Sequence, residues 1–186
     1  MSTAQAQSRD TQLPEELLGS TLFLLARLGY TLKARLVEEF EQAGFSIYQY
    51  GVLATLSEGA CGTQATLADV LHLDRSQLVG VLDELEEREL IERQRDPNDR
   101  RRHSVSLTSE GKRQLVKLRK LVKRIEEAAL APLEPRSRDL VHKALLTLAV
   151  HNDPRFQRVQ SLPARSNWYE TGRTHRCYTS RLPRTY

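Results

Sequence analysis

Cysteine is almost missing from this sequence: Cys61 and Cys177 are the only two, and they are far apart. So sparse a pair excludes the disulfide framework of a small secreted domain. Long hydrophobic runs are missing too. The most apolar stretch, Leu22 to Leu36, is interrupted by Arg27, Lys33 and Arg35, short of the roughly 20 apolar residues a membrane span needs. Residues 1–10 have no basic patch followed by an apolar run, so no secretory signal is read there. A cytoplasmic protein without membrane contact is expected. There is also no glycine-rich phosphate loop, nucleophile elbow or HExxH motif, and His72, His103, His142, His151 and His175 have no ligand spacing with either cysteine. Enzymatic chemistry, a metal and a resident cofactor are therefore not expected.

What is present is 186 residues, 39% hydrophobic and 28% charged, enough for one core. The formal charge of +4 is unevenly placed. From His151 onward seven arginines face only Asp153 and Glu170, which leaves the first 150 residues one negative charge from neutrality. The pattern divides the chain into a polar, disordered start (1–13), a single domain (14–150) and a basic stretch (151–186). That last stretch has no apolar period and is either a natural tail or an artefact of the reading frame.

Within the domain, Pro14, Glu15 and Glu16 suit the first turn of a helix, and Leu18, Leu22, Leu25, Leu28, Leu32, Leu36 and Phe40 then recur at three and four up to Gly44. Ser46 opens a second helix that ends at Glu58-Gly59. Thr63 caps a short third over Gln64 to Leu71, and Asp74 caps a fourth to about Arg88. The period then changes to two at 90–95 and 103–107, with Asp96-Pro97-Asn98-Asp99 between as turn chemistry. A fifth helix follows Thr108, and Ser137 caps a sixth, with Pro132 and Pro135 as breakers. The fold class expected is mainly α (α+β): a winged helix-turn-helix over about 46–107. Flanking helices, about 14–43 and 108–150, have apolar stripes that call for dimerisation.

A helix of this kind fits the major groove of double-stranded DNA, and residues of its first turns reach base edges. The candidates are Arg75, Ser76, Gln77 and Val79. Arginine can read guanine and Gln77 adenine, although Ser76 and Gln77 are equally at home as ordinary first-turn helix residues. Arg100, Arg101 and Arg102 at the hairpin tip supply charge for phosphates or a narrow minor groove; alone they would be a solvated charge run. The basic face of the fifth helix (Lys112, Arg113, Lys117, Arg119, Lys120, Lys123, Arg124) is read as mostly solvated.

Asp74-Arg75-Ser76-Gln77-Leu78-Val79, Leu82-Asp83-Glu84-Leu85-Glu86, Asp96-Pro97-Asn98-Asp99-Arg100-Arg101 and Leu107-Thr108-Ser109-Glu110-Gly111 together resemble the MarR family of bacterial transcription regulators over residues 15–150. The resemblance implies an obligate homodimer on a pseudo-palindromic operator, most simply a ligand-responsive repressor. It implies that Asp74 pairs with Arg101, that Asp99 shapes the wing, and that Arg100 and Arg101 reach the minor groove. Two positions depart from it: Glu89 stands where the family has glycine, and Gly80 where many relatives have a larger polar residue.

The same resemblance implies release from DNA by small aromatic acids, phenols or oxidants. Arg27, Tyr30, Tyr48, Tyr50 and His72, with Phe45 and Arg35, are the aromatic and cationic groups near the expected junction of dimer helices and winged domain, though each is also an ordinary core or surface residue. Cys61 sits in a glycine-flanked loop with nothing nearby to activate its thiol. The alternative function is a winged-helix interaction module that docks an acidic partner.

Overall fold

The computed structural model describes residues 13–58, 64–95, 103–154 and 156. Its elements, in chain order, are α1 (Glu15–Leu18), α2 (Thr21–Gln42), α3 (Ile47–Ser57), α4 (Gln64–Leu71), α5 (Arg75–Glu87), β1 (Ile91–Arg95), β2 (His103–Leu107), α6 (Ser109–Ala129) and α7 (Pro135–Asn152). The fold is mostly helical with one two-stranded antiparallel sheet, as the alternating periods anticipate.

The helix boundaries follow from capping chemistry. Ser46 accepts from the Gln49 N–H at 3.1 Å while the Gln49 side chain accepts from the Ser46 N–H at 2.9 Å, a reciprocal box that opens α3. Thr108 accepts from the Gly111 N–H at the start of α6. Three helices end in the same way. Gly44 (φ +73°), His72 (φ +52°) and Glu89 (φ +55°) each take the left-handed conformation after α2, α4 and α5. In each case the next N–H bonds back five residues: Phe45 to Phe40, Leu73 to Ala68 and Leu90 to Leu85.

Three boundaries differ from the sequence reading. The first helix is broken at Gly19-Ser20, because the Ser20 side chain accepts from the Phe23 N–H and restarts the helix as α2. The last helix begins at Pro135, not after Ser137. Proline lacks only an N–H that the first helical position would leave unpaired, so here it starts a helix instead of breaking one. That helix also runs to Asn152, two residues past the expected limit.

The core lies where α2, α3, α5, α6 and the hairpin meet. Phe40, Val52, Leu53, Leu82 and Leu85 are fully enclosed, and each contributes roughly 1.5–3 kcal/mol by leaving water. In the hairpin Ile91 pairs with Leu107 and Arg93 with Val105, so Ile91 and Val105 face the core while Glu92, Gln94, Ser104 and Ser106 face out. Outside this core the chain leaves apolar surface uncovered. Phe40 is the one buried residue of α2, and α7 has none, while Leu22 (77% exposed), Leu28 (56%) and Leu140 (66%) stand in solvent. Among the described residues no helix is long and apolar enough to cross a membrane.

Candidate nucleic-acid interface

α5 presents its first turn outward because its inward positions, Leu78, Leu82 and Leu85, are anchored in the core. Asp74 caps it: one carboxylate oxygen accepts from the Gln77 N–H at 2.8 Å and from the Ser76 hydroxyl at 2.6 Å. The Ser76 hydroxyl and then the Gln77 N–H hold the Asp74 carboxyl below the ordinary carboxylate range. The Gln77 side-chain oxygen accepts in turn from the Asp74 N–H at 3.3 Å. Ser76 and Gln77 therefore do the work of a helix cap, and a two-point contact of Gln77 with adenine requires release of this oxygen. Arg75 and Val79 are exposed beside them. Gly80 opens onto the same surface: a β-carbon there would meet nothing within 4 Å.

Asp99, Arg100, Arg101 and Arg102 lie outside the described residues, as do Thr63, Cys61 and Cys177. The stalk that carries the hairpin tip is described, and it is tied to α5. Arg93 of β1 reaches across to Asp83 and Glu86, with its Nε 2.7 Å from a Glu86 oxygen. The hydrogen bond to Glu86, strengthened by Asp83, raises the Arg93 pKa further, so the guanidinium stays charged at any working pH. Behind the helix, the buried Gln49 of α3 donates to Glu84 at 2.6 Å. At the far end Arg88 donates to the Gly44 carbonyl at 2.9 Å, its guanidinium 3.9 Å from the centre of the Phe45 ring.

These ties are what the sequence reading missed. Gln49 is a polar residue on an apolar helix face, and Arg93 is a charge at an inward position of an alternating strand. Each breaks its local pattern, and that irregularity was the available signal.

The five candidate ligand residues are divided among α2, α3 and the turn that follows α4. Arg27 and Tyr30 stack on α2 at 6.0 Å, with Tyr30 72% exposed. Tyr48 is exposed on α3, and His72 is exposed at its left-handed turn. Tyr50 is half-buried with its ring 5.3 Å from that of Phe40. Burial pushes its hydroxyl pKa up, against the pull of Arg119. Phe45 is buried beneath Arg88, and Arg35 is exposed. A crevice of about 330 Å³ opens elsewhere, between α2, α6 and α7, floored by Leu36, Ile125 and Val141 and edged by Lys33, Arg138 and His142. Among the described residues no group of His, Cys, Asp or Glu is placed to hold a metal ion.

Comparison with known proteins gives a consistent result. The model of the MarR family matches residues 45–103, from the start of α3 to the returning strand. The chain is 29% identical, over 62% of its length and 74% of the relative's, to a protein of Thauera aromatica described as a transcriptional regulatory protein for the hcr operon. Among solved structures, the transcriptional repressor CouR bound to a 23-mer DNA duplex is 30% identical, with a TM-score of 0.66 over 75% of this chain and 99% of that one. CouR from Rhodococcus jostii RHA1 bound to p-coumaroyl-CoA is also 30% identical, with a TM-score of 0.59 over 72% of this chain and 94% of that one.

Proposed function

The chain belongs to the MarR family of transcription regulators, and from that premise we propose that it is a cytoplasmic homodimer that represses transcription by binding a pseudo-palindromic operator. The observation that carries this reading is the first turn of α5, whose capped end holds Arg75 and Val79 in solvent while Leu78 and Leu82 fix the helix in the core. In this role Arg75 and Gln77 read base edges, Ser76 and Val79 line the same contact, and Arg100, Arg101 and Arg102 carry the wing to phosphates or the minor groove, supported by Asp74 and Asp99. The DNA-bound repressor CouR, alike over nearly its whole length, supports it. So do the uncovered leucines of α2 and α7, which a second copy of the chain would bury.

A small-molecule effector completes the proposal. The p-coumaroyl group held by CouR is phenolic, which supports an aromatic or phenolic effector for this chain as well. In this role Arg27, Tyr30, Tyr48, Tyr50 and His72 are the aromatic and cationic groups that would meet it.

The test is an anisotropy titration of the full chain into the DNA upstream of its own gene, against random DNA of equal length, at physiological salt. Preference of several hundredfold or more is expected of a specific regulator. Equal weak binding to both would overturn the reading in favour of a module that docks an acidic protein partner.

A further inference from the structure

α2 carries the face on which two copies would assemble, and α5 is the helix that would read DNA, yet the two are separated by α3 and α4 in sequence and by the core in space. One side chain joins their ends directly. Arg88, the C-terminal cap residue of α5, donates to the carbonyl of Gly44, the residue that stops α2, and lies over the ring of Phe45, the next residue. Both ends of this link lie in hydrogen-bonded turns. Gly44 is held by its left-handed backbone and by the bonds Gly44 N–H to Glu41 and Phe45 N–H to Phe40, each 2.9 Å. Arg88 is held by the matching turn at Glu89, with Glu89 N–H to Glu86 at 2.8 Å and Leu90 N–H to Leu85 at 2.9 Å. Phe45 is buried, so the surface under the guanidinium is fixed as well.

We infer that Arg88 is a positioning residue that sets the recognition helix against the assembly helix α2, and so sets the spacing of half-sites that the dimer accepts. The inference rests on the dimeric DNA-binding reading given above. Its physical basis is geometric. In a two-fold dimer the separation of the two α5 helices follows from where α5 sits relative to α2, and each base pair between half-sites changes the required separation by about 3.4 Å and the angle by about 35°. A planar guanidinium that both donates and stacks fixes direction as well as distance, which a flexible ammonium does less well.

The experiment begins with duplexes selected by the full-length wild-type protein from a randomised pool. The winning duplex is then remade with one base pair inserted or deleted between its half-sites. Wild type is expected to lose about tenfold or more on both altered duplexes, a penalty comparable with that of a mismatched pair. Arg88→Met keeps an unbranched stem on an exposed site but loses the charge and donors. It is expected to keep its melting temperature within a few degrees, while its spacing preference falls to about threefold or less. Arg88→Lys, which can still donate to Gly44, is expected to fall between the two and decides the matter should Arg88→Met fold poorly. Spacing preference unchanged in the folded variants, or affinity lowered by one common factor on all three duplexes, overturns the inference and leaves Arg88 a merely structural contact. Failure of wild type to select any duplex would overturn the DNA-binding reading itself, a distinct outcome that takes this inference with it.

Discussion

Gly111 lies so close to Leu90 that a β-carbon built on it would stand 1.9 Å from the Leu90 carbonyl oxygen. This is the joint where the returning strand of the wing becomes α6 and closes over the start of β1. Thr108 completes it: its N–H donates to the same Leu90 carbonyl at 3.1 Å, and its hydroxyl donates to the Glu89 carbonyl at 2.7 Å while accepting from the Gly111 N–H at 2.9 Å. The Leu-Thr-x-x-Gly pattern thus has a mechanical reason, since threonine caps the helix and glycine lets it approach. Gly111→Ala must move backbone, not a flexible side chain, and is expected to destabilise by about 3 kcal/mol, the upper end for overpacking. Thr108→Ala loses a cap and a strand tie, for about 1–2 kcal/mol. Urea unfolding of the two variants checks both values and their order.

Glu89 holds a backbone conformation at φ +55° that costs an L-residue roughly 1–2 kcal/mol. Its side chain is exposed, so no buried contact compensates. Glu89→Gly removes the strain and adds unfolded-state entropy, so a net stabilisation of about 0.5–1 kcal/mol is expected. The measurement is an upward shift in the urea midpoint at constant slope. A lower midpoint would mean that Glu89 is held by its carboxylate, not tolerated in spite of it.

The departure at Glu89 illustrates how much of this protein was legible in its sequence. The glycine expected there is absent, yet the turn forms, because the five-residue bond from Leu90 to Leu85 and the burial of both leucines outweigh a strain of this size. The helices, the two strands and the caps at Ser46, Asp74 and Thr108 follow from local chemistry, so spacing alone reveals them. The break at Gly19-Ser20 was hidden because the leucine stripe runs through it without losing phase. The ties Arg88 to Gly44 and Gln49 to Glu84 were hidden for another reason. They join residues 44 and 35 positions apart, and no periodicity encodes a long-range polar pair.

Asp74 links stability to pH with a definite sign. Its carboxyl is held below its ordinary range by the Ser76 hydroxyl and the Gln77 N–H. A depressed folded-state pKa stabilises fully above the unfolded value, near 4, and the contribution is lost as pH falls through the folded value. Asparagine still caps a helix but does not titrate there. The melting-temperature gap between wild type and Asp74→Asn is therefore expected to be widest near neutrality and to close below about pH 4. A gap that stays constant down to pH 2 would show that the charge on Asp74 contributes nothing.

Leu28 stands midway along α2, 56% exposed, in line with Leu22, Leu25 and Leu32. If this face is where two copies meet, Leu28→Glu places a charge in an apolar contact, where desolvation without a partner is prohibitive. Sedimentation equilibrium is expected to give twice the chain mass for wild type and the single-chain mass for the variant. Circular dichroism should stay near wild type, because Leu28 supports no core residue of its own chain.

Arg75 and Arg101 separate the two kinds of DNA contact that a winged helix makes. A phosphate or minor-groove contact by Arg101 is independent of sequence, so Arg101→Ala should weaken operator and random DNA alike. It should also flatten the dependence of log affinity on log salt by about 0.9 per protomer, hence nearly 2 for a dimer. A base contact by Arg75 behaves differently. It is worth about 1–3 kcal/mol of discrimination against the wrong base, so Arg75→Ala should lower operator affinity toward that of random DNA with little change in slope. Titrations at four salt concentrations on both DNAs resolve the cases. An unchanged slope for Arg101→Ala counts against an inserted wing, and equal loss on both DNAs for Arg75→Ala moves that residue from reading bases to holding the backbone.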